Sequence, residues 1–240
     1  MTEWVAGRTP VLESLRAGRR AGRKLFLLQG AKGLDAIRSL ASGIPVVERS
    51  RRELDALAHG AVHQGVLLEA DPLPVARLED WIGNAFPDDA VAVALDEIED
   101  PHNFGAIVRS AAACGACGVI FGKRRAAPLS PASLKSAAGA MEYIDLVRVS
   151  NLVRGLGLLK EAGFWIAALD AAAPTVLWDA DLRGRIALVV GSEGRGLRRL
   201  VRTASDLLLS IPVSGPITSL NASVSAAIAL AECARQRRHG

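Results

Sequence analysis

Apolar residues in this 240-residue chain are spaced differently on the two sides of a proline-rich segment at residues 71–88. In residues 1–70, helical spacing alternates with short apolar runs, which predicts a small α/β sandwich. Beyond residue 89 the apolar runs are continuous and are separated by helical segments, as in parallel strands that helices cover on both faces. The pattern therefore predicts two α/β domains, 1–70 and 89–240, joined by a linker at 71–88 that has a short amphipathic piece in its middle.

The second domain holds a series of predicted strands that would bury both faces. They cover residues 90–95, 118–121, 143–149, 164–169, 186–190 and 207–211. Ligands of parallel α/β sheets bind in the crevice beyond the carboxyl ends of the strands. The residues that directly follow these runs are therefore the first candidates for a functional site.

Charge divides the chain into the same three parts. The net charge of +4 is composed of +4 in residues 1–70, −3 in residues 71–88 and +3 in residues 89–240. Two basic domains favour a polyanionic partner such as RNA, although charge alone does not identify one.

One uncharged segment, residues 207–231, is long enough to cross a bilayer. It contains two prolines, an asparagine and several serines, which would leave too many polar groups in lipid. We therefore predict buried structure here and no membrane contact. The first residues show no basic region followed by an apolar stretch, so a cytoplasmic protein is expected.

Glycines and polar residues without an evident structural role follow three of the predicted strands. These blocks cover residues 96–109, 191–197 and 211–223. Together and in this order they resemble the three signature motifs of the SpoU family of RNA ribose 2′-O-methyltransferases. The resemblance covers residues 90–236.

The first domain is similar to the ribosomal-protein-like substrate-binding domain that many SpoU members carry. The similarity lies in Gly7, Val11 and Glu13 at its start and in the His63-Gln64-Gly65-Val66 stretch near its end. This arrangement most resembles the branch that methylates a guanosine ribose in large-subunit (23S) rRNA.

The resemblance implies a C-terminal trefoil knot, S-adenosylmethionine as cofactor, and a homodimer whose site lies at the subunit interface. The implied catalytic residues are Asn103, Arg109, Glu193, Ser219 and Asn221. The implied cofactor-binding residues are Gly191, Ile211, Leu220 and Ser223. Nothing in the periodicity predicts the knot, since chains generally do not knot.

Asn103 and Arg109 raise a geometrical question, because Asn103 is a plausible helix N-cap. A spacing of six residues places two helical side chains about 240° apart, so the pair can converge only if Asn103 precedes the helix. Arginine stays protonated, which favours a phosphate clamp that also stabilises the developing alkoxide. The family resemblance instead implies a proton acceptor, and both roles stay open.

Glu193 lies between glycines and could orient Asn103 or Asn221, or simply cap a helix. Arg195 stands where the family has a second acidic residue.

Two basic groups are candidates for RNA contact. Lys123, Arg124 and Arg125 directly follow the second predicted strand. Arg195, Arg198, Arg199 and Arg202 have the spacing of one helical stripe. The stripe is interpreted as an RNA-backbone track, and its alternative is an ordinary solvated face.

Other chemistries have weaker support. Cys114 and Cys117 form a single pair beside glycines, and the histidines form no cluster, so no metal site is predicted. A nicotinamide-dependent dehydrogenase would need a glycine-rich fingerprint after the first strand of the second domain, and none is present. Two alternatives remain: the same reaction on tRNA, and a catalytically silent RNA-binding protein.

Overall fold

The computed structural model describes residues 2–123, 129–216 and 219–238. By its internal contacts the chain divides into two compact units. Unit 1 contains Met1–Pro74 and the short segment Ala138–Tyr143. Unit 2 contains Val75–Ala137 and Ile144–Gly240.

Unit 1 is a four-stranded sheet with strand order β1-β4-β2-β3, in which only β2 and β3 are parallel. Its elements are β1 (Glu3–Ala6), α1 (Arg8–Ala17), β2 (Gly22–Leu28), α2 (Asp35–Leu40), β3 (Val46–Arg49), α3 (Arg51–Ala58) and β4 (Val66–Ala70). The central strands bury residues on both faces, with Leu25 and Leu27 in one apolar cluster and Phe26 in the other. The predicted small α/β sandwich is therefore present, with β1 as an additional strand.

Unit 2 is built on an eight-stranded sheet of order β10-β12-β9-β11-β6-β7-β8-β5, and every pairing in it is parallel. Its strands are β5 (Val75–Arg77), β6 (Val91–Asp96), β7 (Gly118–Gly122), β8 (Asp145–Val149), β9 (Trp165–Leu169), β10 (Thr175–Val176), β11 (Ile186–Gly191) and β12 (Leu207–Ser210). Its helices are α4 (Leu78–Trp81), α5 (Pro101–Ala113), α6 (Pro131–Ala137), α7 (Leu152–Glu161), α8 (Arg199–Ala204) and α9 (Ala222–Arg238).

The central strands confirm the predicted parallel α/β sheet. All six residues of β6 are buried, and β11 buries every residue before its last. Helices on both faces exclude water from such strands, which is why their sequences read as continuous apolar runs. β5 and β10 have three and two residues, too few to produce a recognisable run.

Part of the segment interpreted as a linker belongs to unit 2. β5 pairs with β8, and Leu78 and Trp81 of α4 are buried in the core of this unit. Trp81 also donates a hydrogen bond from Nε1 to Asp145 Oδ2 over 2.9 Å. Four residues of α4 are enough for this anchor, and they lie where a short amphipathic piece is expected in the middle of the proline-rich segment.

Within the uncharged segment 207–231, residues 207–210 form β12 and residues 222–231 form the first part of α9. Within the described ranges, no helix is both long and apolar enough to cross a membrane. The predicted trefoil knot stays a prediction.

Candidate active site

The first site residue, Asn103, lies inside a helix. Asp100 precedes α5 and accepts hydrogen bonds from the backbone N–H groups of His102 and Asn103, at 3.1 and 3.3 Å. The N-cap is therefore Asp100, and the prediction that Asn103 caps the helix is wrong. Pro101 at the first helical position explains this start, because its fixed φ suits a first turn and it has no N–H to satisfy.

Asn103, Glu193 and Asn221 form one hydrogen-bonded cluster. Asn103 Nδ2 donates to Glu193 Oε1 over 3.0 Å, and Asn221 Nδ2 donates to Asn103 Oδ1 over 3.0 Å. Asn221 Nδ2 also contacts Glu193 Oε1. Three segments far apart in sequence thus meet at one point, and the expected contact between Glu193 and the two asparagines is present.

Asn221 has a second, local role as the cap of α9. Its Oδ1 accepts from Ser223 N at 2.8 Å, Ser223 Oγ at 2.6 Å and Val224 N at 3.3 Å. The side chain therefore satisfies the first N–H groups of the helix with its oxygen and reaches the Asn103–Glu193 pair with its nitrogen. The start of α9 and the geometry of the cluster depend on the same amide.

The loop after β11 folds back tightly on itself. Ser192 pairs with Gly196 in an isolated antiparallel bridge, and Gly194 and Gly196 adopt positive φ angles of 77° and 64°. A Cβ added to Gly191 would lie 2.5 Å from the carbonyl carbon of Gly196. Glycine is therefore required at 191 for the loop to return toward the sheet.

Arg198 anchors the end of this loop to β6. Its backbone N–H donates to Asp96 Oδ2 at 2.8 Å, and its Nε donates to Asp96 Oδ1 at 2.6 Å. The Asp96 side chain is fully buried. This ion pair joins the carboxyl end of β6 to the loop that follows β11, its neighbour in the sheet.

A cavity of about 640 Å³ opens beside this loop, and we call it the loop cavity. Its walls come from the ends of β9 and β11, from the segment 211–213 and from the start of α9. Predicted site residues that line it are Gly191, Glu193, Arg195, Arg202, Ile211, Ser219, Leu220 and Asn221. Ser223 is not among the lining residues, and its hydroxyl bonds to Asn221 instead.

The loop cavity suits a ligand of the size and chemistry of S-adenosylmethionine. Leu169, Val190, Ile211 and Val213 line it with apolar side chains that would contact an aromatic base, and backbone groups of the loops would bond to the polar atoms of the ligand. Because Gly191 has no Cβ, a ligand can approach the backbone there.

Asp170 was missed by sequence reasoning. It directly follows β9, lines the loop cavity and forms an ion pair with Arg202. Its side chain is 8% exposed. The signal for it is its position directly after the predicted strand at residues 164–169.

Arg109 lies apart from the cluster. It is exposed on α5, whereas Asn103 is buried on another face of the same helix. Among the described residues its side chain has no hydrogen bond or ion pair. The condition set by the six-residue spacing is not met, and the two side chains do not converge within one chain.

The predicted arginine track is also different in the structure. α8 begins at Arg199, so Arg195 and Arg198 precede the helix and the prediction of one helical stripe is wrong. The glycines at 194 and 196 turn the chain before the helix can start. Arg198 and Arg202 pair with Asp96 and Asp170, while Arg195 is exposed at the loop.

Of the second basic group, Lys123 is exposed directly after β7. Arg124 and Arg125 lie outside the described residues, so their predicted contact with RNA stays a prediction. Cys117 packs as expected: its thiol donates to Val91 O, and burial raises its pKa to about 12.

These features define a class of protein: a parallel α/β enzyme that binds its ligand in loops beyond the carboxyl ends of the strands. Residues 90–231 match the SpoU rRNA Methylase family, and residues 4–76 match a domain described as RNA 2′-O ribose methyltransferase substrate binding. The chain therefore belongs to the SpoU family of RNA methyltransferases.

Relatives that match nearly the whole of this chain support the assignment. The chain is 44% identical to an uncharacterized tRNA/rRNA methyltransferase of Mycolicibacterium vanbaalenii, over 99% of this chain and 77% of that protein. It is 42% identical to a protein of the same description from Mycobacterium tuberculosis, over 99% and 75%.

Solved structures agree. The SpoU methyltransferase AviRb from Streptomyces viridochromogenes superposes with a TM-score of 0.84 at 27% identity, covering 100% of this chain and 91% of AviRb. AviRb in complex with its cofactor AdoMet gives a TM-score of 0.81 at 26% identity, with the same coverage.

Proposed function

We propose that this protein transfers the methyl group of S-adenosylmethionine to the 2′-hydroxyl of a guanosine ribose in 23S rRNA. The observation that carries the proposal is the cluster of Asn103, Glu193 and Asn221 beside the loop cavity. Its members come from the three sequence blocks that resemble the SpoU motifs, and two of them line the cavity.

The chemistry assigns different tasks to these groups. Bound S-adenosylmethionine supplies an electrophilic methyl group, and S-adenosylhomocysteine is the product. The ribose 2′-oxygen forms the new bond to the methyl carbon as the methyl–sulfur bond breaks, and the hydroxyl proton passes to solvent water. Glu193 orients the two asparagine amides, and we assign to the cluster and to Ser219 the positioning of the ribose hydroxyl beside the cavity.

Arg109 carries the remaining charge that the reaction needs. A guanidinium can hold the phosphate beside the target ribose and stabilise the oxygen as it loses its proton. Asn103 and Arg109 are separated by about 9 Å along α5 and by about 240° around it, which is about 120° in the other direction. We therefore propose a homodimer in which Arg109 of one copy completes the site of the other.

The rRNA substrate is supported by the domain in unit 1, which matches the substrate-binding domain over residues 4–76. The relatives are described as tRNA/rRNA methyltransferases, which keeps tRNA as the alternative substrate. The intact cluster argues against a catalytically silent RNA-binding protein.

Mapping ribose methylation in cells with and without the gene tests the proposal. We expect one 2′-O-methylguanosine in 23S rRNA to disappear when the gene is deleted. It should return when the wild-type gene is restored, but not when the restored gene carries Asn103→Ala. Loss of a tRNA methylation instead would transfer the reaction to the alternative substrate. An unchanged methylation map in both RNAs would refute the proposed function.

A further inference from the structure

A second cavity opens at the carboxyl ends of β6, β7 and β8, and we call it the arginine cavity. Its volume is about 730 Å³. Glu97, Gly122 and Ser150, which follow or end these three strands, line one side, and the segment from Arg198 to Leu200 lines the other. It shares no lining residue with the loop cavity, but Leu197 lines one and Arg198 the other, so the two are neighbours.

Two arginines in this cavity have no charge partner within residues 2–123, 129–216 and 219–238. Arg154 and Arg199 are exposed, and neither guanidinium forms an ion pair or hydrogen bond with any residue that the structure describes. Arg198 differs, because it is bound to buried Asp96 and lies 3.5 Å from Glu97. Asp96 and Glu97 carry two negative charges against the one positive charge of Arg198. The two positive charges of Arg154 and Arg199 still make the net charge around the cavity positive.

Apolar surface accompanies the charge. Leu200 is 56% exposed at the start of α8, and the cavity also contains Leu95, Leu152 and Val153. Guanidinium groups bind phosphate oxygens in bidentate fashion, and an apolar side chain contacts the face of a ribose or a base. A cavity that combines guanidinium groups with apolar side chains suits one nucleotide. No aromatic side chain is among its described lining residues, so base stacking is not part of the proposal.

A smaller cavity continues the same surface. It has a volume of about 320 Å³ and shares Ser150, Asn151 and Arg154 with the arginine cavity. Arg154 thus lies between two adjoining depressions on the same edge of the sheet. The Arg154 guanidinium could therefore contact a phosphate of an RNA strand that crosses from one depression to the other.

We propose that the arginine cavity binds a nucleotide of the RNA substrate close to the methylated one. Arg154 and Arg199 hold its phosphate, and Leu200 contacts its ribose or base. The inference rests on the proposed function, since it places the substrate strand of that same reaction. Of the predicted track of Arg195, Arg198, Arg199 and Arg202, the proposal keeps Arg199 as a phosphate contact of unit 2 and adds Arg154 to it.

The test uses the full-length protein and unmodified 23S rRNA made by transcription in vitro. Binding is measured over a range of salt concentrations for wild type, Arg154→Gln, Arg199→Gln and Arg183→Gln. Arg183 is the matched control because it removes one exposed positive charge of unit 2 outside both cavities, beside Asp181. Cofactor binding is measured by calorimetry in every variant, to show that the fold and the loop cavity are intact.

Removal of either cavity arginine should reduce the slope of log K against log salt by about one unit, the value for one lost phosphate contact. The same variants should raise the KM for RNA severalfold, while cofactor affinity stays at the wild-type value. Arg183→Gln should change neither the slope nor the KM.

Slopes and KM values that equal those of Arg183→Gln, with normal cofactor binding, would overturn the assignment of this cavity. A wild-type protein that transfers no methyl group to either rRNA or tRNA would instead refute the proposed function. The two failures are thus distinguished by the wild-type activity alone.

Discussion

Removal of the Arg198 side chain tests whether this arginine anchors the site or binds RNA. Arg198→Ala deletes the 2.6 Å contact with Asp96 but keeps the hydrogen bond from the backbone N–H to the same carboxylate. The buried Asp96 then loses its countercharge. Breaking a buried pair costs about 3–5 kcal/mol, and a hydrogen bond to a charged group contributes about 1.5–3 kcal/mol.

The cost lies toward the lower end of these ranges, because the Arg198 side chain is 45% exposed and water partly replaces the lost guanidinium. We expect the free energy of unfolding of unit 2 to fall by about 2 kcal/mol. Urea unfolding followed by tryptophan fluorescence measures this, since Trp81, Trp165 and Trp178 lie in unit 2.

Arg199→Ala is the matched control. It removes the adjacent arginine, which has no partner among the described residues, and should change stability by no more than about 0.5 kcal/mol. Cofactor affinity should fall in Arg198→Ala and stay constant in Arg199→Ala, because only the first arginine holds the loop after β11. Equal stability of the two variants would refute the anchoring role of Arg198.

Three further predictions concern the loop cavity and the core. Gly191→Ala should abolish cofactor binding in calorimetry while unit 1 stays folded, because the new Cβ would lie 2.5 Å from Gly196; wild-type affinity would contradict the account of this loop. Asn221→Ala should destabilise unit 2 by about 1 kcal/mol through the lost cap of α9 and reduce methyl transfer at saturating cofactor; an unchanged rate would remove Asn221 from the site. Burial raises the pKa of Cys117 to about 12, above that of a thiol in the unfolded chain. The buried thiol therefore contributes its full stabilisation of the folded protein below pH 9, and this contribution is lost as the pH rises toward 12. Wild type should therefore lose stability relative to Cys117→Ala by about 1.4 kcal/mol per pH unit over this window, measured by urea unfolding, and parallel curves would contradict it.

The sequence predicted the elements that are long and strongly patterned. The buried strands of unit 2 were found because helices on both faces leave no polar position in them, and β6 is buried along its whole length. β5 and β10 were missed because two or three residues cannot express a periodicity, and α4 was expected only as a short amphipathic piece within the linker. Their positions follow from tertiary pairing, as with Trp81 and Asp145.

The site was predictable in its members but not in its geometry. Motif resemblance named Asn103, Glu193 and Asn221, and the structure brings them together. Sequence could not tell that Asp100 takes the cap position, since Asp and Asn are similar caps three residues apart. It also could not tell that Arg198 and Arg202 have carboxylate partners, because Asp96 and Asp170 are distant in sequence.

Arg109 links the chemistry of the site to the state of assembly. If Arg109 of one copy acts in the site of the other, an Asn103→Ala chain and an Arg109→Ala chain are each inactive alone. Mixed dimers of the two should regain activity in one of their two sites. No regain on mixing would show that Arg109 does not act across a dimer.

The most direct test of the central claim is methyl transfer by the purified protein. It is incubated with S-adenosylmethionine labelled in the methyl group and with unmodified 23S rRNA or tRNA transcripts, and the methylated position is mapped. We predict one labelled guanosine in 23S rRNA with the methyl group on the ribose 2′-oxygen, and no label in tRNA. Label on a base, or no label in either RNA by a protein that binds the cofactor, would contradict the account.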